Sequence, residues 1–422
     1  MSRTGTYYIW TIGCQMNVAD SRTVMDQLEA RGYRPASTPA EADVILLNTC
    51  VVRESAENRA IGRLSSLRPI KTRRPAAILA VMGCLVGDTE RELRARFPYV
   101  DLFLKPSRPE PLFDLLDSAP SGTHALGGLP QSPITAYLPI SYGCDHHCTY
   151  CIVRLRRGRQ VSRPIDELKA EAADLVRRGA REITLLGQNV DAYGSDLPGR
   201  PDLADLLEAV HDVDGLCRLR FLTSHPSDMQ QRLIETVARL PRVCEHIEIP
   251  VQTGSDAVLR RMGRQYSVAH YLELIERIRA AIPSVSLGTD VIVGFCGETH
   301  EEHQLTRELV ERAHFDVVHI AAYSVRAGTP AAQLEDDVLP AEKESRRKDL
   351  EELQTRIAAE VNAGLRGRTV EVLVEEKQRD RWRGRTRHNK IVFFEGGNDL
   401  AGQLVDVHIT WAGPWSLIGT RA

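Results

Sequence analysis

Cys144, Cys148 and Cys151 stand in the spacing C-x3-C-x2-C, within Gly143-Cys144-Asp145-His146-His147-Cys148-Thr149-Tyr150-Cys151. Thiolates are soft ligands that suit zinc or iron–sulfur clusters. Three thiolates on a four-iron cluster leave one iron without a protein ligand, and that iron can hold a small molecule. A structural zinc site completed by His146 or His147 is the alternative, although structural zinc usually takes two paired motifs. The motif follows an expected strand, Ile134–Ser141, which puts the thiols on a loop at a strand's C-terminal end.

Cys14, Cys50 and Cys84 look unrelated in linear spacing, yet their contexts match. Each ends an apolar strand candidate after a short turn: WTIG before Cys14, ILLNT before Cys50, AVMG before Cys84. The intervals are nearly equal, each about one strand–helix–strand unit. Ligands of open α/β sheets bind at the carboxyl ends of strands. Three parallel strands would therefore bring these thiols to one edge as a second three-thiolate site. Three buried free cysteines are the alternative. Cys217 and Cys244 lack the pattern and read as core; Cys296 stands in a strand-end loop.

The elements that must position these residues fall into three regions. In residues 1–117, strands are expected at Thr6–Ile12, Val44–Leu47 and Ala77–Met82, with helices at Asp20–Arg31 and Arg53–Leu67. This is the βαβ pattern of an open parallel α/β sheet. Residues 118–133 are rich in Ser, Gly and Pro and read as a linker. Residues 134–323 repeat a strand–helix unit about six times, within a region that extends to 362. Its strand candidates are Ile134–Ser141, Glu182–Leu186, Leu219–Leu222, His246–Val251, Ser286–Val293 and Val317–Ala322. A closed or partial (β/α) TIM-type barrel fits, with a doubly wound open sheet as the alternative. The charged segment Glu342–Ala363 reads as a trailing helix. In residues 363–422, Thr369–Glu375, Lys390–Phe394 and Leu404–Thr410 are β-rich and fit a small antiparallel β-barrel. In a (β/α) barrel the site lies at the strand C-termini. Gln188, Asn189, Ser224, His225, Gln252 and Asp290–Gly294 stand there, and His225 is as readily a packed loop histidine as a site residue.

The 422 residues, 42% hydrophobic and 26% charged, have an ordinary globular balance, which excludes a disordered or collagen-like chain. With 54 basic and 57 acidic residues the net charge of −3 excludes a uniformly basic nucleic-acid coat, though not a local basic patch. Nine cysteines favour metal or redox chemistry over a disulfide framework. The apolar stretch around Ala76–Val86 is too short for a bilayer span. Met1–Tyr8 shows no secretory pattern. A cytoplasmic protein without membrane contact is expected.

The central motif resembles that of the radical S-adenosylmethionine (SAM) superfamily, and the whole chain resembles the methylthiotransferases, α/β radical SAM enzymes with two 4Fe–4S clusters. The resemblance runs through Gly13-Cys14-Gln15-Met16-Asn17, Asn48-Thr49-Cys50, Gly83-Cys84, the Cys144/Cys148/Cys151 motif and Gly187-Gln188-Asn189-Val190. It continues through Pro250-Val251-Gln252-Thr253-Gly254-Ser255, Thr289–Phe295 and Gly328-Thr329-Pro330. The C-terminal segment looks like a TRAM domain. The resemblance implies that Cys144, Cys148 and Cys151 hold a cluster whose open iron binds SAM, which is cleaved to a 5′-deoxyadenosyl radical. It implies that Cys14, Cys50 and Cys84 hold an auxiliary cluster that binds or supplies sulfur. Tyr150, Gln188, Asn189, Ser224 and Gln252 are the expected SAM contacts.

Within the family, GCQMN and LGQNVDAYG look like the branch that methylthiolates carbon 2 of N6-isopentenyladenosine beside the tRNA anticodon. Alternatives are threonylcarbamoyladenosine in tRNA, an aspartate of a small-subunit ribosomal protein or, from another class, a non-catalytic iron–sulfur RNA-binding sensor. Arg154, Cys296 and Ala327 stand where the family usually has proline. The implied partners are a tRNA anticodon stem-loop and an electron donor such as flavodoxin or ferredoxin; a monomer is expected.

Two basic runs bear on RNA. Lys377–Lys390 (KQRDRWRGRTRHNK) holds seven Lys or Arg and one Asp. If it is extended, Arg379, Arg381, Arg383, Arg385 and Arg387 share one face. They could grip phosphate while Trp382 stacks on a base. A solvated charged hairpin is the alternative. Arg154, Arg156, Arg157, Arg159 and Arg163 follow the central motif and could steer a polyanion, or simply form a charged surface loop.

Overall fold

The computed structural model describes residues 5–87, 90–118, 133–397 and 399–422. The expected linker at 118–133 lies almost wholly outside them. The chain forms two compact units: the described part of Met1–Gln131 with Ser141–His146 and Cys151–Val161, and the remainder from residue 132 on, including His147–Tyr150. The boundary therefore cuts through the cysteine loop, whereas the sequence suggested a division by region.

In the first unit, Val44–Thr49 is buried along its whole length because it is an unbroken apolar run with both faces covered. Ile45 and Leu47 enter one core with Leu79, Val81 and Phe103; Val44 and Leu46 enter the other with Tyr7, Ala80 and Met82. Around it runs a five-stranded parallel sheet in the order Arg34–Pro35, Thr6–Thr11, Val44–Thr49, Ile78–Gly83, Leu102–Leu104. Thr11 lies opposite Asn48 and Thr49 opposite Gly83, so the three central strands end in register. Two helices differ from expectation. The first spans Gln15–Ala30 and starts right after Cys14; its early turns bury the polar Asn17, Asp20 and Ser21, which conceals the apolar period there. The second, Glu54–Arg73, continues through Pro69.

In the second unit, six parallel strands follow chain order. Thr135–Pro139, Glu182–Leu186 and Arg218–Phe221 form one three-stranded sheet; His246–Glu248, Ser286–Val293 and Val317–Ala322 form the other. A parallel bridge runs from Leu219 of the first sheet to Val243, just ahead of the strand His246–Glu248. The order never reverses, and no pairing closes the first strand on the last among the described residues. This is a partial barrel rather than a doubly wound sheet. Side chains alternate with period two. Ile183, Leu185, Leu219, Phe221, Ile247 and Leu287 pack outward in the main core. The alternate positions, among them Glu182, Arg218, Arg220, Glu248, Asp290 and His319, take the opposite face. The helix Pro340–Ala363 adds Leu350, Leu353 and Ile357 to that core.

The C-terminal strands Thr369–Gln378, Arg381–Thr386, Ile391–Glu395, Leu404–Ala412 and Leu417–Arg421 close into a small barrel. All its pairings are antiparallel except Ile391–Glu395 with Leu417–Arg421. Val372, Trp382, Phe394 and Val407 are among the residues that fill it. No helix among the described residues is long and apolar enough to cross a membrane.

Candidate metal centre and cofactor site

Cys14, Cys50 and Cys84 follow the ends of three adjacent parallel strands. The motif residues around them tie those ends together. The Asn17 side chain donates to the carbonyls of Ile12 (2.8 Å) and Thr49 (2.9 Å). Asn48 donates to the Asn17 carbonyl at 2.7 Å, and the Thr49 hydroxyl to the Met82 carbonyl at 2.7 Å. Gly13 and Gly83 have positive φ, +129° and +103°. A Cβ on Gly13 would stand 2.6 Å from the Cys50 Cβ, so a side chain there would collide with Cys50. Cys50 and Cys84 are buried and Cys14 is exposed. Burial pushes the Cys84 thiol up to about 11, against the pull of Arg157. Metal binding takes thiolates, and a buried cation beside three gathered thiols suits a thiolate-bound group. The three residues fit a cluster.

That cation belongs to the second basic run, which divides. The Arg157 side chain is buried and donates to Asn17 Oδ1 at 2.8 Å and Ser107 Oγ at 3.0 Å. Arg159 is exposed beside Asp145, and Arg163 pairs with Glu167 and Glu171. Arg154 donates to the Asp145 carbonyl, and the Arg156 guanidinium lies where a Cβ on Gly87 would stand. Arg157 and Arg163 are thus not part of an open phosphate-steering face, because buried or acidic partners hold them.

In the central motif, Cys144 and Cys151 belong to the first unit and Cys148 to the second. The Cys144 amide donates to the Gly158 carbonyl at 3.2 Å. Thr149 bonds the Met262 and Arg261 carbonyls through its amide (2.9 Å) and hydroxyl (2.8 Å). Arg264, which sequence reasoning missed, donates to Cys148 Sγ at 3.7 Å and to the Pro250 carbonyl at 3.2 Å. It lies far from the motif in sequence, so no local signal pointed to it. The Tyr150 ring packs edge-on against Phe295, with centroids 6.4 Å apart.

Gln188, Asn189, Ser224 and Gln252 follow the C-terminal ends of three consecutive barrel strands. Gln188 Oε1 and Asn189 Oδ1 are buried without a hydrogen-bond partner among the described residues. Buried polar atoms are rarely left so, and this pair suits a polar ligand such as SAM. The Asn189 amide donates to Asp228 at 2.5 Å. Thr223 and Gln252 hold φ at +73° and +74°. A left-handed non-glycine residue costs on the order of 1–3 kcal/mol, and such strain clusters at functional sites. Beneath them Asp191 is buried, accepting from Ser224 Oγ (3.0 Å) and the His225 amide (2.9 Å). Burial pushes its carboxyl up to about 7. His225 is buried with its ring edge-on to Tyr266. Of the remaining cysteines, Cys244 and Cys296 are buried, but Cys217 is half-exposed because it precedes the strand Arg218–Phe221 instead of lying within it.

The basic C-terminal segment forms the strand Arg381–Thr386, whose period-two face carries Arg381, Arg383 and Arg385, while Arg379 and Arg387 fall in the turns at its ends; two further expectations fail. Trp382 is buried in the barrel core and donates from its indole nitrogen to the Gly396 carbonyl, so its ring offers no face to a base. The arginines are largely engaged. Arg383 and Arg385 pair with Glu375 at 3.2 and 3.0 Å, and Arg387 pairs with Glu245 at 2.8 Å. Arg379 and Arg381 stay exposed. The large exposed aromatics of this barrel are Trp411 and Trp415, at 50% and 57% exposure.

The Radical SAM superfamily model matches residues 138–310, uncharacterized protein family UPF0004 matches 6–105, and the TRAM domain matches 365–421. Among solved structures, the radical S-adenosylmethionine methyltransferase TsrM from Kitasatospora setae shares the fold. Its TM-score is 0.55 and its identity 14%, over 78% of this chain and 77% of that one. The cobalamin-dependent radical enzyme OxsB matches at a TM-score of 0.53 and 12% identity, over 82% of this chain and 56% of that one. Barrel, cysteine motif and family match define a radical SAM enzyme. The chain is 51% identical to the tRNA-2-methylthio-N(6)-dimethylallyladenosine synthase of Chloroflexus aurantiacus, over 99% of this chain and 91% of the relative. It is 50% identical to that of Roseiflexus sp., over 100% and 90%, and 49% identical to that of Herpetosiphon aurantiacus, over 98% and 96%. It belongs to the family of tRNA-2-methylthio-N(6)-dimethylallyladenosine synthases.

Proposed function

We propose that this chain methylthiolates carbon 2 of N6-dimethylallyladenosine in tRNA, beside the anticodon, using SAM and two 4Fe–4S clusters. The observation that carries the two-cluster reading is the second cysteine set: Cys14, Cys50 and Cys84 on one edge of a parallel sheet, with the Asn17 and Asn48 bonds fixing that edge. When bound, the clusters and SAM supply hydrogen abstraction from an unactivated C–H bond and the sulfur that is transferred; the protein supplies position and shelter from water.

Cys144, Cys148 and Cys151 hold the radical-generating cluster in this reading, and Arg264 offers Cys148 a charged hydrogen bond. Gln188, Asn189, Ser224 and Gln252 bind SAM. Asp228 orients the Asn189 amide, leaving its carbonyl oxygen for the ligand. Tyr150 helps fix the loop by packing on Phe295. The C-terminal barrel holds the anticodon stem-loop, with Arg379 and Arg381 gripping phosphate and Trp411 and Trp415 offering ring faces to bases. A flavodoxin or ferredoxin donates electrons, and the protein works as a cytoplasmic monomer.

The test is mass spectrometry of tRNA nucleosides from cells lacking the gene and complemented with wild type, Cys148→Ala, or Cys14→Ala/Cys50→Ala/Cys84→Ala. Wild type restores methylthio-dimethylallyladenosine; both variants leave the unthiolated precursor. If that nucleoside persists without the gene while a methylthio-aspartate disappears from the ribosome, the substrate assignment is overturned and the chemistry stands.

A further inference from the structure

We infer that Arg157 is a positioning residue for the auxiliary cluster, holding a buried positive charge against it and setting its reduction potential. The inference rests on the reading that Cys14, Cys50 and Cys84 carry that cluster.

The side chain is 4% exposed, as is that of Asp20, its one acidic ion-pair partner among the described residues, at the long distance of 3.5 Å. Two neutral groups fix the fork, Asn17 Oδ1 and Ser107 Oγ. Ser107 sits at φ +56°, an uncommon backbone state for a serine. The Cys84 thiol lies within hydrogen-bond reach of the guanidinium, and Cys14 also acts on it electrostatically. A charge withdrawn from water is costly unless it is well paired. One distant carboxylate pairs it poorly; thiolates, once metal is bound, pair it well.

The placement also joins the two cysteine sets within the first unit. Arg157 ends the short helix Val153–Arg157, which begins two residues past Cys151. Ile152, just before it, is buried in the same core as Val51, Cys84 and Leu85. Arg157 thus ties the strand-end loops of the auxiliary site, through Asn17, to the segment that carries Cys151. The potential of an iron–sulfur cluster follows its net charge, the hydrogen bonds to its sulfurs and its exposure. Arg157 acts on the first two, and Asp20 opposes it.

The test uses the full chain with Cys144→Ala, Cys148→Ala and Cys151→Ala, reconstituted with iron and sulfide so that one cluster remains. Iron content is counted, and the midpoint is read by a redox titration followed by electron paramagnetic resonance. Arg157→Gln should keep its iron, but at the unsubstituted protein's midpoint its reduced-to-oxidised ratio should fall about tenfold, which is about 59 mV for one electron. Arg157→Lys, which keeps the charge, should stay within about threefold. Asp20→Asn removes the opposing charge and should move the ratio the other way; it keeps the test open if Arg157→Gln loses iron. Retained iron with unmoved midpoints in Arg157→Gln and Asp20→Asn overturns the inference and leaves Arg157 a packing strut, and an unmoved Asp20→Asn midpoint also overturns it where Arg157→Gln holds no iron. Absence of iron from the starting protein overturns the auxiliary-cluster reading itself. Iron count and midpoint thus separate the two failures.

Discussion

Asp191 shows how one buried carboxyl can set a pH dependence. It lies under the expected SAM contacts, and burial raises its pKa from 3.8 to about 7, against the bonds from His225 and Ser224. The fold therefore favours the neutral acid. A group raised in the folded state contributes fully below its unfolded pKa and loses that contribution as pH climbs through the folded value. The window is pH 4 to 7, and the loss across it is on the order of 4 kcal/mol. Asp191→Asn has no proton to lose, so its unfolding free energy relative to wild type should rise steadily from pH 4 to 7 and level off above. Urea unfolding at unit pH steps checks this. A constant difference would mean that the carboxyl is already ionised at pH 4, with its two hydrogen bonds outweighing burial.

At the scale of elements, the strand Arg381–Thr386 separates two kinds of tryptophan. Its alternation sends Trp382, Gly384 and Thr386 inward and the arginines outward. Trp382→Ala should cost about 3–5 kcal/mol, as large aromatic truncations in cores do, and should melt the C-terminal barrel early in a thermal scan. Trp411→Ala with Trp415→Ala should shift stability by less than about 0.5 kcal/mol per site yet weaken tRNA binding by about 1–3 kcal/mol per lost stack, read by titration at one fixed salt concentration. Unchanged affinity would remove both rings from the RNA surface. The same strand shows what the sequence made legible. Period two put Arg381, Arg383 and Arg385 on one face but overran the strand at Arg379 and Arg387, and applied to Trp382 it would have put that ring inside. The six barrel strands and the three strand-end cysteines were readable because apolar runs and turns are local signals. Glu375, Arg264 and the burial of Arg157 were not, because each depends on a contact between residues far apart in the chain. The start of Gln15–Ala30 was hidden for a related reason: Asn17 and Asp20 are buried for bonds made to other loops, so they break the apolar period.

At the scale of the whole second unit, the C-terminal barrel is seated at the N-terminal ends of the partial barrel's strands, the end away from Gln188, Ser224 and Gln252. Arg218 is fully buried there and donates to the Arg385 carbonyl (2.6 Å) and to Glu371 Oε1 (2.9 Å). Arg220 caps the Arg387 and Thr386 carbonyls at 2.6 and 2.7 Å and pairs with buried Glu182 at 3.0 Å. Lys390 meets Asp316 at 2.5 Å. The basic segment thus serves as a docking element, and under the proposed function RNA on the C-terminal barrel has to span about one strand length, roughly 17–20 Å, to the expected SAM contacts. Removing one partner of a buried, hydrogen-bonded charge costs about 3–5 kcal/mol, whereas an exposed pair is worth under about 1. Arg218→Met should therefore speed amide exchange in Thr369–Gln378 and Arg381–Thr386 while leaving Ser286–Val293 protected, and should weaken tRNA binding although no RNA contact is touched. Arg356→Ala, which breaks an exposed pair with Glu311, is the control and should change neither. If Arg218→Met leaves exchange in the C-terminal strands at the wild-type rate, the closed barrel holds itself together and the buried arginines do not fix its seat.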